Sequence, residues 1–457
     1  MRKFWKNERI GRICLYSCIV AVCFLYTGSA YMSQFYRLIP FYDAQTVDII
    51  TSCLNYVLQA LGILVFALGL KHKPTVFGNH RFFIVMLFIG IPCMMVMQLA
   101  KSGMVIVVSG GIFHFLIGLY FGCYLSLFAK FVPIKYSGIS YGIAYAFGSV
   151  GTYILSLFEG GDFLISKKIT VLYIILAALT IFLVWFGYTH PETESKDVPG
   201  LERESSGALI LPSVTVVVMM MVSVIGSGLY YSLPQAADID WNLIRAFYAV
   251  GLILTGLIMD RKRWIGEILT AASLLYPLIA LTLIGEGMNN TVALSFSYLF
   301  RGCLTVYYII SFTDIASSDK KRLFVAPIGL FFSRLAEACL TLILMAIAIP
   351  NLVQIIAMAL LMIPLIVLIV IRQKSKVLLS SAPVDEQKKK AVFADKYHLT
   401  ARETEILGFL AEGLTDDEIA SKIDISRNTV RFHVSNILKK TGTSSRVDAA
   451  RSMQKFN

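Results

Sequence analysis

Residues 399–450 read LTARETEILGFLAEGLTDDEIASKIDISRNTVRFHVSNILKKTGTSSRVDAA, and their punctuation lays out four short helices. Thr400-Ala-Arg-Glu403 is a capping box, in which a hydroxyl and a carboxylate three residues apart satisfy free backbone N–H groups at a helix start. Ile406, Leu407 and Leu410 give that helix one apolar face, and Gly413 stops it. Thr415-Asp-Asp-Glu418 is a second capping box, opening a short helix through Ile419, Ala420 and Ile423. Asp424-Ile425 makes a tight turn. Ser426 caps a third helix over 427–440, with Val430, Val434, Ile437 and Leu438 inward. Its outer face carries Arg427, Arg431, Phe432, Ser435, Asn436 and Lys439. Thr441-Gly442 ends it, and Ser444 or Ser445 opens a fourth helix through Val447, Ala450 and Met453.

A short helix, a tight turn and a basic-faced helix form the helix-turn-helix layout, whose second helix enters the DNA major groove. The stretch resembles the LuxR/FixJ/NarL-type output domain over nearly its full length. Glu403, Gly413, Glu418, Thr429, Val430, His433, Gly442 and Arg446 all fit that pattern, and Thr441 departs from it where the family usually has Leu. The resemblance implies double-stranded DNA as a partner, with Arg431, Phe432 and Ser435 at base edges. Of these, Arg431 has the fork geometry for guanine, and Ser435 is a weaker reader than the family's usual Lys. It further implies phosphate contacts from Thr429, Asn436, Lys439 and Lys440, with Arg427 on the same face. A homodimer on DNA through the last helix, around Val447, Ala450, Arg451 and Gln454, completes the expectation.

Working upstream, residues 372–396 read RQKSKVLLSSAPVDEQKKKAVFADK, which Ser, Pro and charge mark as a mobile linker. Lys388-Lys389-Lys390 is either a solvated run or a contact for anionic lipid or DNA phosphate. The expected DNA-binding domain is therefore 397–457. Before residue 372 the composition changes again. The whole chain is 57% hydrophobic and 15% charged, against about 25% charged for a soluble protein. The apolar residues fall into twelve runs of about the 20 residues that span a bilayer: 12–34, 48–70, 82–100, 104–129, 137–158, 169–189, 209–232, 242–259, 265–284, 291–314, 324–348 and 350–371. The expected fold is all-α: a twelve-span bundle over 1–371, then the small four-helix domain. The bundle has halves 1–189 and 209–371 and a polar loop at 190–208.

Lys and Arg mark cytoplasmic loops. With the N-terminus inside, the inner segments hold 21 basic residues and the outer loops only Arg37, Lys101, Lys167 and Lys168. Both termini are thus expected in the cytoplasm of a bacterium, with the bundle in its inner membrane. The formal net charge is +12, and residues 372–457 hold 16 Lys and Arg against 11 Asp and Glu. After the eighth span comes Gly256-Leu-Ile-Met-Asp260-Arg261-Lys-Arg263, with a degraded copy, Gly69-Leu-Lys-His-Lys, after the second. In such a turn Gly lets helices approach and Asp faces a neighbouring helix N-terminus. This motif and the six-plus-six layout resemble the major facilitator superfamily. Gly118-x-x-x-Gly122 and Gly138-x-x-x-Gly142 read as helix-packing sites.

A charge inside the bilayer usually has a partner or a water-filled cavity. Arg245, Arg301, Arg334 and Glu337 lie within second-half spans, and Arg334 and Glu337 share a face at i, i+3. They read either as a second-half cavity for a polar or anionic small molecule or as an ion-pair network locking helices together. The first half offers Gln59, Gln98 and His114 and no mid-span carboxylate, which weakens a proton-driven transporter reading. All eight cysteines precede residue 340 without a CxxC pair and read as small buried hydrophobes. The first apolar run is too long for a cleavable signal. No metal-ligand cluster, phosphate loop or nucleophile motif is visible, so neither an enzyme nor a cofactor or metal site is expected. The favoured function is a membrane-integrated one-component transcriptional regulator. The alternative is a transporter with a gene-regulatory tail.

Overall fold

The computed structural model describes residues 8–189, 209–229, 241–285, 288–318, 320–347, 349–381 and 393–454. All regular structure among them is helical, and the chain divides into two compact units, Met1–Ile371 and Arg372–Asn457. In the first unit α1 is Glu8–Leu38, α2 Ala44–His72, α3 His80–Leu99, α4 Gly103–Phe131, α5 Ile134–Leu157 and α6 Lys167–Thr189. The second half comprises α7 Ile210–Gly228, α8 Trp241–Arg261, the bent α9, α10 Asn290–Ser317, α11 Ile328–Ala346 and α12 Asn351–Ser381. Helix α9 runs Arg263–Ser273 and continues after a 40° bend as Tyr276–Gly285. The loop 190–208 lies outside the described residues.

Each expected span has its helix. Among the described residues nine are long and apolar enough to cross a membrane, and α9 makes a tenth if its two pieces form one span. Helix α5 is long enough but not apolar enough. The reason is where it packs. Gly138 and Gly142 of α5 lie against α8 so closely that a Cβ would meet the carbonyls of Gly256 and Leu252. Helices that face protein on most sides can carry Gly, Ser, Thr and Tyr, because lipid does not select their composition. Elsewhere, one-sided apolar stripes stay exposed: Leu61, Val65 and Leu68 on α2; Val171, Ile175 and Phe182 on α6; Leu360, Ile363 and Val367 on α12. Stripes of that spacing cover the outside of a bundle solvated by hydrocarbon. The interior is aromatic, with Phe66, Phe113, Tyr124, Phe128 and Phe312 fully buried.

In the second unit α13 is Ala401–Ala411, α14 Asp416–Lys422, α15 Arg427–Thr441 and α16 Arg446–Gln454. Both capping boxes form, at Thr400 with Glu403 and at Thr415 with Glu418. Asp424 turns the chain with φ 51°, and Gly442 closes α15 at φ 68°, a left-handed cap that costs glycine little. Phe393, Ile406, Leu407, Leu410, Ile419 and Ile437 form this unit's own core. Two features revise the boundaries read from sequence. Helix α12 stays regular through Ser381, inside the expected linker, because no Gly or Pro lies between Arg372 and Pro383. Phe393 is buried in the second core, so the compact domain includes residues ahead of 397. Lys388–Lys390 lie outside the described residues.

Candidate nucleic-acid interface and membrane cavity

Helix α15 is held from beneath by Val430 and Ile437, both fully buried, and that fixes which face turns outward. Arg427, Arg431, Phe432, Ser435 and Lys439 are exposed there, and Thr429 and Asn436 are half-buried. Phe432 is 64% exposed, a placement that no folding energy explains. Thr429 is committed to its own helix start, its N–H donating to Ser426 Oγ at 3.1 Å. The arginines face acids on the first turn of α14. Arg427 Nη1 lies 3.1 Å from Asp417 Oδ2, and Arg431 Nε 3.5 Å from Asp416 Oδ2. Arg446 braces the same turn, donating to Asp416 Oδ1 and the Leu414 carbonyl, each at 2.9 Å.

Lys440, expected at a DNA phosphate, also has partners within the domain. Its Nζ donates to Glu403 Oε2 at 2.7 Å and to the His398 carbonyl at 3.0 Å. Burial alone would raise the Glu403 carboxyl, but the Lys440 ammonium and the Thr400 N–H and hydroxyl together hold it below its ordinary range. Lys440 is exposed and also ties the end of α15 to the start of the domain. In α16 the side chains of Ala449, Ala450 and Met453 are buried and Val447 is 59% exposed. Ala450 belongs to the core, then, and Val447 and Arg451 form the outer surface.

In the first unit the structure brings Arg301, Arg334 and Glu337 together. Arg301 Nη2 pairs with Glu337 Oε1, and Arg334 Nη1 lies 4.0 Å from Glu337 Oε2. Arg334 also sits over the Tyr56 ring, 4.4 Å from its centroid. Arg245 lies on α8, and its side chain is outside the described residues. The three charges line a cavity of about 450 Å³. The cavity was expected in the second half; it lies between the halves, with Tyr31, Tyr56, Gln59 and Tyr145 contributed by α1, α2 and α5. A π-helical segment, Ile49–Leu54, widens α2 beside it and brings Ser52 to the wall.

Behind that wall is a buried polar network. His114 Nε2 meets Gln34 Oε1 at 2.9 Å and His114 Nδ1 meets Gln59 Nε2 at 2.8 Å. Asn55 Nδ2 donates to Gln34 Oε1 at 3.0 Å. Gln98 belongs elsewhere, accepting from Ser33 Oγ at 2.9 Å. Sequence reasoning missed Gln34, Asn55 and the tyrosines. It also passed over Glu267, buried in α9, which accepts from the Tyr307 hydroxyl at 3.0 Å. The signal available was the amide, imidazole or hydroxyl within a span, of which Gln59, Gln98 and His114 were only a part.

Where α8 turns into α9, Asp260 accepts from the backbone N–H groups of Gly138 and Ile139 near the start of α5, each at 2.8 Å. That is the helix-dipole contact the motif implied. Arg263 completes it, reaching Asp260 at 3.0 Å, the Ile134 carbonyl at 2.7 Å and Asp314 at 2.7 Å.

Comparison with known proteins agrees with both units. Residues 397–453 match the family described as bacterial regulatory proteins, luxR family. The probable transcriptional regulatory protein SgaR of Hyphomicrobium methylovorum is 51% identical over 51 residues, 11% of this chain and 24% of that protein. The nitrate/nitrite response regulator protein NarL of Escherichia coli K12 is 46% identical over 56 residues, 12% of this chain and 26% of that protein. The match therefore spans about a quarter of these relatives' length. Over 79% of this chain and 99% of the other, the structure is similar to the human organic anion transporter MFSD10, with a TM-score of 0.58 and 12% identity. That likeness concerns the fold alone. Residues 397–453 are a LuxR-type helix-turn-helix domain, and the helices before them share the fold of that transporter.

Proposed function

We propose that the chain is a membrane-integrated one-component transcriptional regulator. The observation that carries this reading is the pairing, in one chain, of a fully capped helix-turn-helix with exposed cations on α15 and a membrane unit with a charged cavity between its halves. A ligand or membrane state that favours one arrangement of the membrane unit shifts its population, and the shift changes how the DNA-binding domain is presented or paired. The membrane is the bacterial inner membrane. Both termini are cytoplasmic, as the excess of basic residues in the inner loops supports. DNA is met by Arg427, Arg431, Phe432, Ser435, Asn436 and Lys439, and two copies pair through the exposed side of α16, around Val447 and Arg451. The relatives named as regulators support the output role.

The test is genome-wide mapping of DNA bound by the full-length protein, with and without candidate small molecules. Discrete sites whose occupancy follows a small molecule are expected; uniform, ligand-blind occupancy would sink the reading. A second reading is a transporter whose tail regulates genes, and the likeness of the fold to a transporter supports it. Accumulation of substrate in liposomes carrying the purified protein would favour that reading.

A further inference from the structure

Among its described lining residues, the membrane cavity holds two cations, Arg301 and Arg334, against one anion, Glu337. Glu337 is shared unequally. It pairs closely with Arg301, whereas Arg334 stands at 4.0 Å, the outer limit of an ion pair. Arg334 Nε is buried with no hydrogen-bond partner. One face of its guanidinium is occupied by the Tyr56 ring, so its edge is what remains for a ligand. A buried cation with an incomplete partner is costly, and the planar N–H fork fits a carboxylate at two points. The walls supply flat apolar surface and hydroxyls together, from Phe121, Tyr31, Tyr145, Tyr248, Tyr298 and Tyr308. Such walls suit an aromatic ring bearing a polar edge. The volume, about 450 Å³, lies in the range of small-molecule sites.

We propose that this cavity binds an aromatic monocarboxylate, with the carboxylate on the edge of Arg334 and the ring among the tyrosines. The proposal rests on the reading of the membrane unit as ligand-responsive, and it names the ligand chemistry that reading leaves open. Glu337 then acts as the charge regulator of the site. By neutralising Arg301 it keeps the net charge at one, matched to a monoanion.

The experiment titrates the full-length protein in lipid nanodiscs by calorimetry. The probes are benzoate, 4-hydroxybenzoate and indole-3-acetate, each beside its own carboxamide, together with benzylamine and chloride. At least one acid should bind about ten- to a hundredfold more tightly than its amide, the span of a charge-assisted hydrogen bond. Arg334→Gln should erase that preference. Arg301→Gln should do the same, because it frees Glu337 to neutralise Arg334. Glu337→Gln should strengthen acid binding, a gain that misfolding does not produce. The proposal is overturned if acids and amides bind alike, if benzylamine or chloride alone binds, if no acid binds, or if the preference survives in Arg334→Gln. An acid that binds in this pattern without altering DNA occupancy would remove the regulator reading and keep the ligand class. Ligand-dependent occupancy with no preference for acids would do the reverse.

Discussion

Arg431 and Lys439 share the exposed face of α15 but have different duties under the proposed function. Arg431→Ala should cost about 1–3 kcal/mol of binding and relax specificity at one base pair, whereas Lys439→Ala should weaken all sequences alike and lower the salt slope by about one. Gel shifts at two salt concentrations on the native site separate the two, and an Arg431→Ala protein with unchanged site preference would move the reading face elsewhere. Glu403 sets a pH dependence for the same domain. Its folded carboxyl lies below the ordinary Glu value of 4.5, so the stability it contributes is fully present above that value and is lost as pH falls through the folded one. Melts of the C-terminal domain should show its Tm falling on acidification through this window. Glu403→Gln should be less stable at pH 7, by about 2 kcal/mol, with a flatter profile. An unchanged profile would show that the Lys440 pair contributes nothing. The outward residues of α15 were legible because their face follows from helical spacing alone. The Lys440–Glu403 pair was not legible, because its partners lie 37 residues apart and no local pattern announces it.

At the scale of elements, caps and turns were legible for the same reason: Thr400, Thr415, Ser426 and Gly442 act within one turn of the chain. Asp260 was legible in type, as a residue that faces a helix start, but its partner α5 became visible only with the fold. The cavity was the least legible feature, since Tyr56, Tyr145 and Arg334 meet only after α2, α5 and α11 have packed. Asp260 also makes a prediction. Asp260→Ala leaves the Gly138 and Ile139 N–H groups without their acceptor and Arg263 with one carboxylate fewer. Unpaired backbone donors away from water cost about 1–3 kcal/mol, so the amount of folded protein in the membrane should drop. Asp260→Asn, which keeps one acceptor, should drop less. Equal abundance of wild type and Asp260→Ala by quantitative blotting would show that water replaces this contact at no cost.

For the whole molecule the test is orientation. A reporter active only in the cytoplasm should be active when fused after Asn457 and silent when inserted near Asp162. The opposite pattern would make DNA binding by the intact protein impossible and would remove the proposed function. The orientation has a further consequence, because the DNA-binding unit and the membrane unit are one covalent chain. A soluble regulator searches the chromosome; under the proposed function this one waits for the chromosome to arrive. Encounter then depends on how often a locus visits the cell envelope, and the effective concentration of operator at the bilayer replaces free diffusion. Moving the same operator to a locus that seldom approaches the envelope should lower its output with protein, ligand and sequence unchanged. A C-terminal fragment released from the membrane should treat the two positions alike. Gene order would thereby become part of the regulatory input.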